Sequence, residues 1–360
     1  MTDLDQRITS VLREHAEGET DTHRLLRGSR ALGRRRQVRR RVAAGTALAL
    51  VGVVGFAGVT GADLDRLSGR LPWAAATPDV PAPLPPRADG VPGAAERPDL
   101  VGTDTTVLHL GVDTRKARYL AWAVHGEPRV ESIRLDVGGD RPVLIEVSPS
   151  AQVVDELLLD GLPAEQGAVP VTFDGTVRQF RNGAGGLVKG WQPVPGLYAR
   201  ASVLGDTDRD TLAAAVDALR WGEARRCDAP LGLRVLPRGA QLTSCSVDAS
   251  AFPRGLNVEL TVYREPSAAM WVRLQYGSQI AVDRADSNRT VGGRPAYLYP
   301  DGTKLDLLGI PKAHLTADFG WPLPGGQGHG GRPAFTEADA TTVLAGAQVA
   351  RDLTDPETWD

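Results

Sequence analysis

The sequence predicts an α+β protein. It comprises a single N-terminal transmembrane helix, a Pro-rich linker and two similar antiparallel-sheet-plus-helix exported modules. Three observations carry that expectation. Residues Val42 to Ala62 read VAAGTALALVGVVGFAGVTGA with no charge, directly behind GRRRQVRRR at Gly33 to Arg41. Apolar residues then alternate at period two in two separated regions, VESIRLDVGGDRPVLIEVS and LNVELTVYREPSAAMWVRLQYG. Each region is followed by an acid-capped helical segment, TLAAAVDALRW after DTDRD and ATTVLAGAQVARDL after TEAD. The expected boundaries are 1–41 for a short basic cytoplasmic segment, 42–62 for the transmembrane helix and 63–102 for the linker. Exported modules follow over 103–224 and 225–360.

The first segment, Met1 to Arg41, holds 11 Arg and no Lys against 6 acidic residues, a net charge of +5. The rest of the chain carries −8, for a total of −3. Leu4, Ile8, Val11 and Leu12 share one helical face, with His15 beside them. A second short helix is expected after Asp21, with Leu25, Leu26 and Leu32 as its apolar residues. So short a segment buries no independent core. It lies on the membrane, stays disordered or folds on a cytoplasmic partner, and Leu4, Ile8, Val11 and Leu12 are the candidate partner-binding residues.

The apolar run spans about 31 Å as a helix, close to the ~30 Å hydrocarbon core of a bilayer. Cationic residues flanking a first span stay on the cytoplasmic side, which predicts the N-terminus inside and the large C-terminal part outside. The Arg run is therefore a topology signal set against anionic headgroups, and no nucleic-acid partner is expected. A cleaved signal is the alternative. Thr60 and Ala62 offer a small-residue cleavage site, but the long segment before the span and the lack of a twin-arginine motif argue for an uncleaved anchor.

Leu71 to Pro98 contains eight prolines. That composition favours an extended, semi-rigid spacer. In the first module, VRQFRNG, a Trp191 segment and GLYARASVL precede the helix, with Leu212, Val216 and Leu219 as its apolar stripe. In the second, VGGRPAYLYPDGTKLDLL and HLTADFGW precede a helix carrying Leu344, Ala347 and Leu353. Thr336 and Asp339 have capping-box spacing at its start.

Cys227 and Cys245 are the two cysteines, both in the exported part. An even count in an oxidising compartment predicts one disulfide. Asp206, Asp208, Asp210 and Asp217 have EF-hand offsets, but Thr211 stands where the loop needs Gly. Acids at a helix N-terminus cap free N–H groups, which explains the cluster without a metal. His109, His125, His314 and His329 have no metal-ligand spacing, and His329 lies in a Gly-rich surface loop. No nucleophile elbow, S-x-x-K or Cys/His arrangement is present. Neither catalytic residue nor cofactor is predicted. Glu131, Asp136, Glu146, Asp155 and Glu156 supply the acids for a rival reading as a hydrolase. Trp122, Trp191, Trp221, Trp271 and Trp321 are expected mainly in the core, with an aromatic binding face as the alternative. Asn288-Arg-Thr290 is a glycosylation sequon.

LDQRI, LREHAE, DTHRLL and G-x-R-x-L-G-R-R-R before the apolar span resemble the N-termini of single-pass membrane proteins of actinobacteria. LPRGAQLTSC, GGRPAYLY and the closing TEADATTVL helix are similar to the β-rich exported regions of that group. The layout is anti-sigma-factor-like. Some members are partners of extracytoplasmic-function sigma factors, so the resemblance implies a cytoplasmic protein partner and no enzyme activity. Zinc-type anti-sigma domains carry H-x-x-x-C-x-x-C; this segment has His15 and His23 but no Cys.

The sequence thus predicts a membrane-anchored extracytoplasmic binding or sensory protein, with an extracellular ligand it does not identify. A transmembrane signalling protein is the alternative, and an exported hydrolase the third reading. If residues 3–32 dock on a cytoplasmic protein, changing Leu4, Ile8 and Leu12 to Asp abolishes its co-purification with the full chain. Equal recovery of the same partner by the triple variant would show that this helical face is not the contact.

Overall fold

The structure is a computed structural model that describes residues 82–138, 141–156, 171–180, 185–204, 209–264, 268–277, 286–320 and 335–359. Leu4, Ile8, Val11, Leu12 and the span Val42–Ala62 lie outside the described residues. Among the described residues no helix is long and apolar enough to cross a membrane. Ala76–Asp360 forms one compact unit, and it is dominated by β-structure.

The first half of that unit holds β1 (Arg118–Gly126), β2 (Arg129–Asp136), β3 (Val143–Ser148) and helix α1 (Ala151–Glu156). It continues through β4 (Asp174–Phe180), β5 (Gly186–Val194), β6 (Leu197–Leu204) and helix α2 (Arg209–Asp217). The second half holds β7 (Ala240–Asp248), β8 (Gly255–Arg264), β9 (Ala268–Gly277), β10 (Arg289–Val291) and β11 (Arg294–Leu298). It ends with β12 (Lys304–Leu307), β13 (Ala313–Asp318) and helix α3 (Glu337–Ala345).

These strands make one thirteen-stranded sheet in the order β10-β11-β12-β13-β9-β8-β7-β1-β2-β3-β6-β5-β4. Each half runs a three-stranded meander outward from the centre. A second meander then returns, so that its last strand, β6 or β13, lies beside the third strand, β3 or β9. A helix follows in both cases. The repeat read from the sequence is therefore a repeat of topology. The halves meet where β1 pairs antiparallel with β7, from Ser244 opposite His125 to Asp248 opposite Ala121. At the β10–β11 hairpin, Gly292 and Gly293 both take positive φ (56° and 80°), as a type I′ turn requires.

Strand parity sorts the side chains. One face carries Trp122, Ile133, Ile145, Ala201, Val247, Val258 and Leu274, all buried in a single hydrophobic cluster. Leu212 and Ala215 of α2, and Ala340, Val343 and Leu344 of α3, belong to that cluster. α2 lies over β3, β5 and β6, and α3 over β10, β12 and β13. Thr336 caps α3 in the expected capping box with Asp339.

Both helices are shorter than their sequence pattern suggests. Leu219, expected on the first helix, is in a short strand opposite Val112. Ala347, expected on the second, begins the strand Ala347–Val349 opposite Leu231–Leu233. Gly346 caps α3, and a ladder partner is available immediately beyond it; tertiary pairing overrides helical propensity there. The expected spacer also ends early. From residue 82 the chain packs on the sheet unit: Arg87 bridges to Arg225, and Ala94 and Val101 are fully buried.

Cys227 and Cys245 form the expected disulfide, closing a separation of 18 residues. Cys245 lies on the core face of β7 opposite Val124 and Leu260. The Trp122 indole N–H donates to the Cys227 carbonyl at 3.0 Å. A cross-link of this span contributes about 3 kcal/mol. Mild reduction of the full chain, or Cys227→Ala with Cys245→Ala, should lower unfolding stability by about that amount in urea. An unchanged midpoint would contradict this role.

Candidate functional site

The strand that follows each helix builds the principal candidate site. After α2, Leu219–Arg220 pairs with Gly111–Val112, and the Asp113 N–H donates to the Ala218 carbonyl at 2.8 Å. After α3, Ala347–Val349 pairs with Leu231–Leu233. The Arg234 N–H donates to the Gly346 carbonyl at 3.1 Å, and the Ala350 N–H to the Pro230 carbonyl at 2.9 Å. Antiparallel ladders alternate. The backbone of Gln348 therefore faces Gly232, while the N–H and C=O groups of Ala347 and Val349 point away from that ladder. Among the described residues no backbone bond reaches them.

Ala347–Ala350 line one side of a groove of about 580 Å³. Its other walls come from Tyr276 at the end of β9, Arg294 at the start of β11, the turn Gly309–Lys312 and the segment Arg351–Thr354. Lys312 has φ 55°, the left-handed region that a non-glycine residue occupies only under constraint. Its carbonyl accepts the Gly277 N–H at 3.0 Å, which holds the turn against β9. Arg294, Lys312 and Arg351 bring positive charge and Asp352 negative charge to the lining. Burial pushes the Tyr276 phenol above its ordinary pKa, and the nearby Asp352 charge adds to this. The Thr354 hydroxyl and backbone N–H hold the Asp352 carboxyl below the usual range. At neutral pH Tyr276 is thus neutral and Asp352 ionised.

A second, smaller concavity of about 200 Å³ lies on the opposite face of the sheet, across the β1–β7 seam. Ala121, Ala123, Ser132 and Ser246 leave room there, and Arg134 pairs with Asp248 at 3.3 Å along its margin. A polar row crosses this face by register, through Thr316, Arg273, Glu259, Ser246, Ala123, Ser132, Glu146 and Arg200.

Of the acids that could have served a hydrolase, Glu131 and Glu146 do not converge. Glu131 and Glu146 are both buried. Strand parity puts them on opposite faces of the sheet, since Glu131 sits opposite Val147 and Glu146 opposite Ser132. Glu131 accepts the N–H groups of Gly102 (3.0 Å) and His109 (2.6 Å), and lies 2.6 Å from His109 Nδ1. Glu146 accepts from Arg200 Nε at 2.8 Å. Asp136 pairs with Arg118 at the surface, and Asp155 and Glu156 end α1. Asp210 lies in the first turn of α2 and Asp217 ends it, so the backbone is helical where a calcium loop would be needed. Asp206, Asp208 and His329 lie outside the described residues. His125 and His314 are on different strands of the open face.

Trp122 is in the core, as expected, while Trp191 and Trp221 meet edge to face at 6.3 Å. Trp271 is on the open face, with the Arg273 guanidinium 5.9 Å from its ring. Trp321 lies outside the described residues. The Asn288 side-chain amide donates to the Leu298 carbonyl at 2.9 Å. Sequence reasoning missed the groove and the His109–Glu131 pair. Parity could have flagged Glu131, because it alternates in phase with Ile133 and Leu135. The groove left no comparable signal, since its lining is assembled from stretches far apart in the sequence, Tyr276, Arg294 to Lys312 and Ala347 to Thr354.

No protein-family model matches the chain, and no curated protein matches it. Among solved structures, the chain is similar to MucB, from a crystal structure of MucB in complex with MucA(peri). The identity is 12% and the TM-score 0.20, over 65% of this chain and 88% of that one. A likeness at that score supports no conclusion about fold, partner or activity.

Breaking the Glu146–Arg200 pair tests its assignment as structural. Arg200→Ala strands a buried carboxylate and should destabilise by about 3–5 kcal/mol, whereas replacing both residues by Leu should cost far less. Equal losses in urea unfolding would show that the pair itself, rather than the orphaned charge, governs stability.

Proposed function

We propose that this chain is a membrane-anchored extracytoplasmic binding or sensory protein that performs no catalysis. The observation that carries the reading is the groove beside Ala347–Val349. Its lining brings Ile310, Pro311 and Leu353 together with Arg294, Lys312 and Arg351, a mix of apolar and basic side chains that suits recognition. Glu131 and Glu146, two of the buried acids, are each committed to internal partners on opposite faces. The anchor rests on the uncharged run Val42–Ala62 and the Arg cluster before it. Cytoplasmic residues then lie N-terminal to the span and the sheet lies outside.

A second reading, a transmembrane signalling protein, is favoured by the apolar helical face of Leu4, Ile8, Val11 and Leu12. It adds a cytoplasmic protein partner to the same topology.

Two measurements test the proposal. In intact cells, an impermeant reagent should label a C-terminal tag, and should label an N-terminal tag only after permeabilisation. The reverse pattern overturns the topology. The purified full chain in detergent should release no soluble product from peptidoglycan or casein. Sustained turnover abolished by Glu131→Gln or Glu146→Gln would establish an enzyme instead.

A further inference from the structure

We infer that Glu131 and His109 form a proton-operated latch. It holds residues 98–109 on the sheet at neutral pH and lets them open in acid before the sheet itself unfolds. Glu131 lies on the core face of β2 and is fully buried, and His109 is 2% exposed. Among the described residues no Arg or Lys pairs with the carboxylate. Its partners are three N–H groups: the Gly102 and His109 backbones at 3.0 and 2.6 Å, and His109 Nδ1 at 2.6 Å. A backbone donor on each oxygen marks an ionised carboxylate, so Nδ1 carries the proton between the two side chains. A carboxylic acid at this place would add a fourth donor to a site with a single acceptor group. At least one N–H would then lose its partner in a site closed to solvent, which is costly.

The backbone at both contacts is built to reach Glu131. Gly102 has φ 69°, and a Cβ there would lie 2.9 Å from Arg129 Cα, so only glycine brings this N–H against β2. The His109 carbonyl in turn accepts the Ala94 N–H at 2.7 Å. Other ties of the stretch keep their protonation in mild acid. Arg129 Nε donates to the Val101 carbonyl at 3.0 Å, the Thr105 hydroxyl to the Leu242 carbonyl at 3.1 Å and the Cys227 N–H to the Thr106 carbonyl at 2.7 Å. Around Glu131 the facing residues of β1 and β3 are Val124 and Val147, and His125 is on the other face of β1. Asp99 pairs with Arg97 at the surface, Asp104 accepts from Thr106, and Glu223, beside Gly111, pairs with Arg225. Asp228, next to Cys227, acts in the opposite sense. Burial pushes its carboxyl above the ordinary pKa, with the Arg226 and Asp104 charges pulling in opposite directions. Protonating Asp228 steadies the folded state as pH falls, so opening in acid is assigned to Glu131.

Failure of the latch would leave the binding reading standing, because the groove shares no residue with it. The full chain in detergent is acidified stepwise from neutral pH, and amide hydrogen exchange is followed by mass spectrometry, corrected for intrinsic exchange rates. Peptides covering residues 98–109 should lose protection at a higher pH than those covering β1, β2 and β7. The opening constant should rise about tenfold per pH unit, the slope of one proton. Glu131→Gln should open the stretch already at neutral pH and abolish that slope, whereas Asp228→Asn should keep it. Thermal melting checks that Glu131→Gln folds; if it does not, the order of opening in the wild type decides. Loss of protection in the stretch and the sheet at the same pH, opening that is independent of pH, or an unchanged slope in folded Glu131→Gln overturns the latch.

Discussion

The pairing of β1 with β7 is the constraint on which the rest of the structure depends. It joins two six- and seven-stranded halves into one sheet. It also sets the parity of every strand outward from the centre. A slip of one residue there would exchange the two faces of a whole half. Several independent interactions hold this seam. Cys245 lies on β7 within the paired stretch and is cross-linked to Cys227. Trp122, on the facing strand, fills the core behind it and donates its indole N–H to the Cys227 carbonyl. On the opposite face Arg134 reaches across the seam to Asp248.

The same seam explains why two equivalent halves end up with different surfaces. Both finish with a helix and a short strand whose outer edge is available. The chain entering the first half has a preceding segment that closes the end of its ladder, where the Ala94 N–H donates to the His109 carbonyl and the Ala95 N–H to the Trp221 carbonyl. The chain entering the second half comes directly from the first, through Cys227 and the disulfide. The Cys227 tether and the paired strand Leu231–Leu233 occupy the connecting residues. Among the described residues, one topology repeated thus yields one ladder end closed by the chain and one beside a groove.

Much of the fold was legible in the sequence, for reasons particular residues make plain. Strand alternation in VESIRLD and LNVELTVY reports a sheet with one apolar face, because side chains project at period two. Thr336 and Asp339 announced the start of α3 through their own hydrogen bonds, a local interaction. The ends of the helices were not legible. Leu219 and Ala347 continue an apolar helical pattern, and only the presence of Gly111–Val112 and Leu231–Leu233 turns them into strands. The prolines of residues 82–98 suggested a free spacer, because composition does not report that Ala94 finds a carbonyl and a cavity. Glu131 and Glu146 looked alike in sequence. Their opposite faces and different partners, His109 and Arg200, follow from a register set by distant strands.

By itself the sequence determined the local and additive properties of this protein: the charge asymmetry about an uncharged span, the strand period, the helix caps and the even pair of cysteines. Each depends on neighbours within a few residues or on composition alone. Tertiary structure decided which edges are covered, which acids are neutralised and where a groove opens. Those outcomes depend on backbone groups brought together from residues more than a hundred positions apart, such as Leu231 with Val349 and Ala95 with Trp221. Backbone groups are the same in every residue, so no side-chain pattern records where they meet.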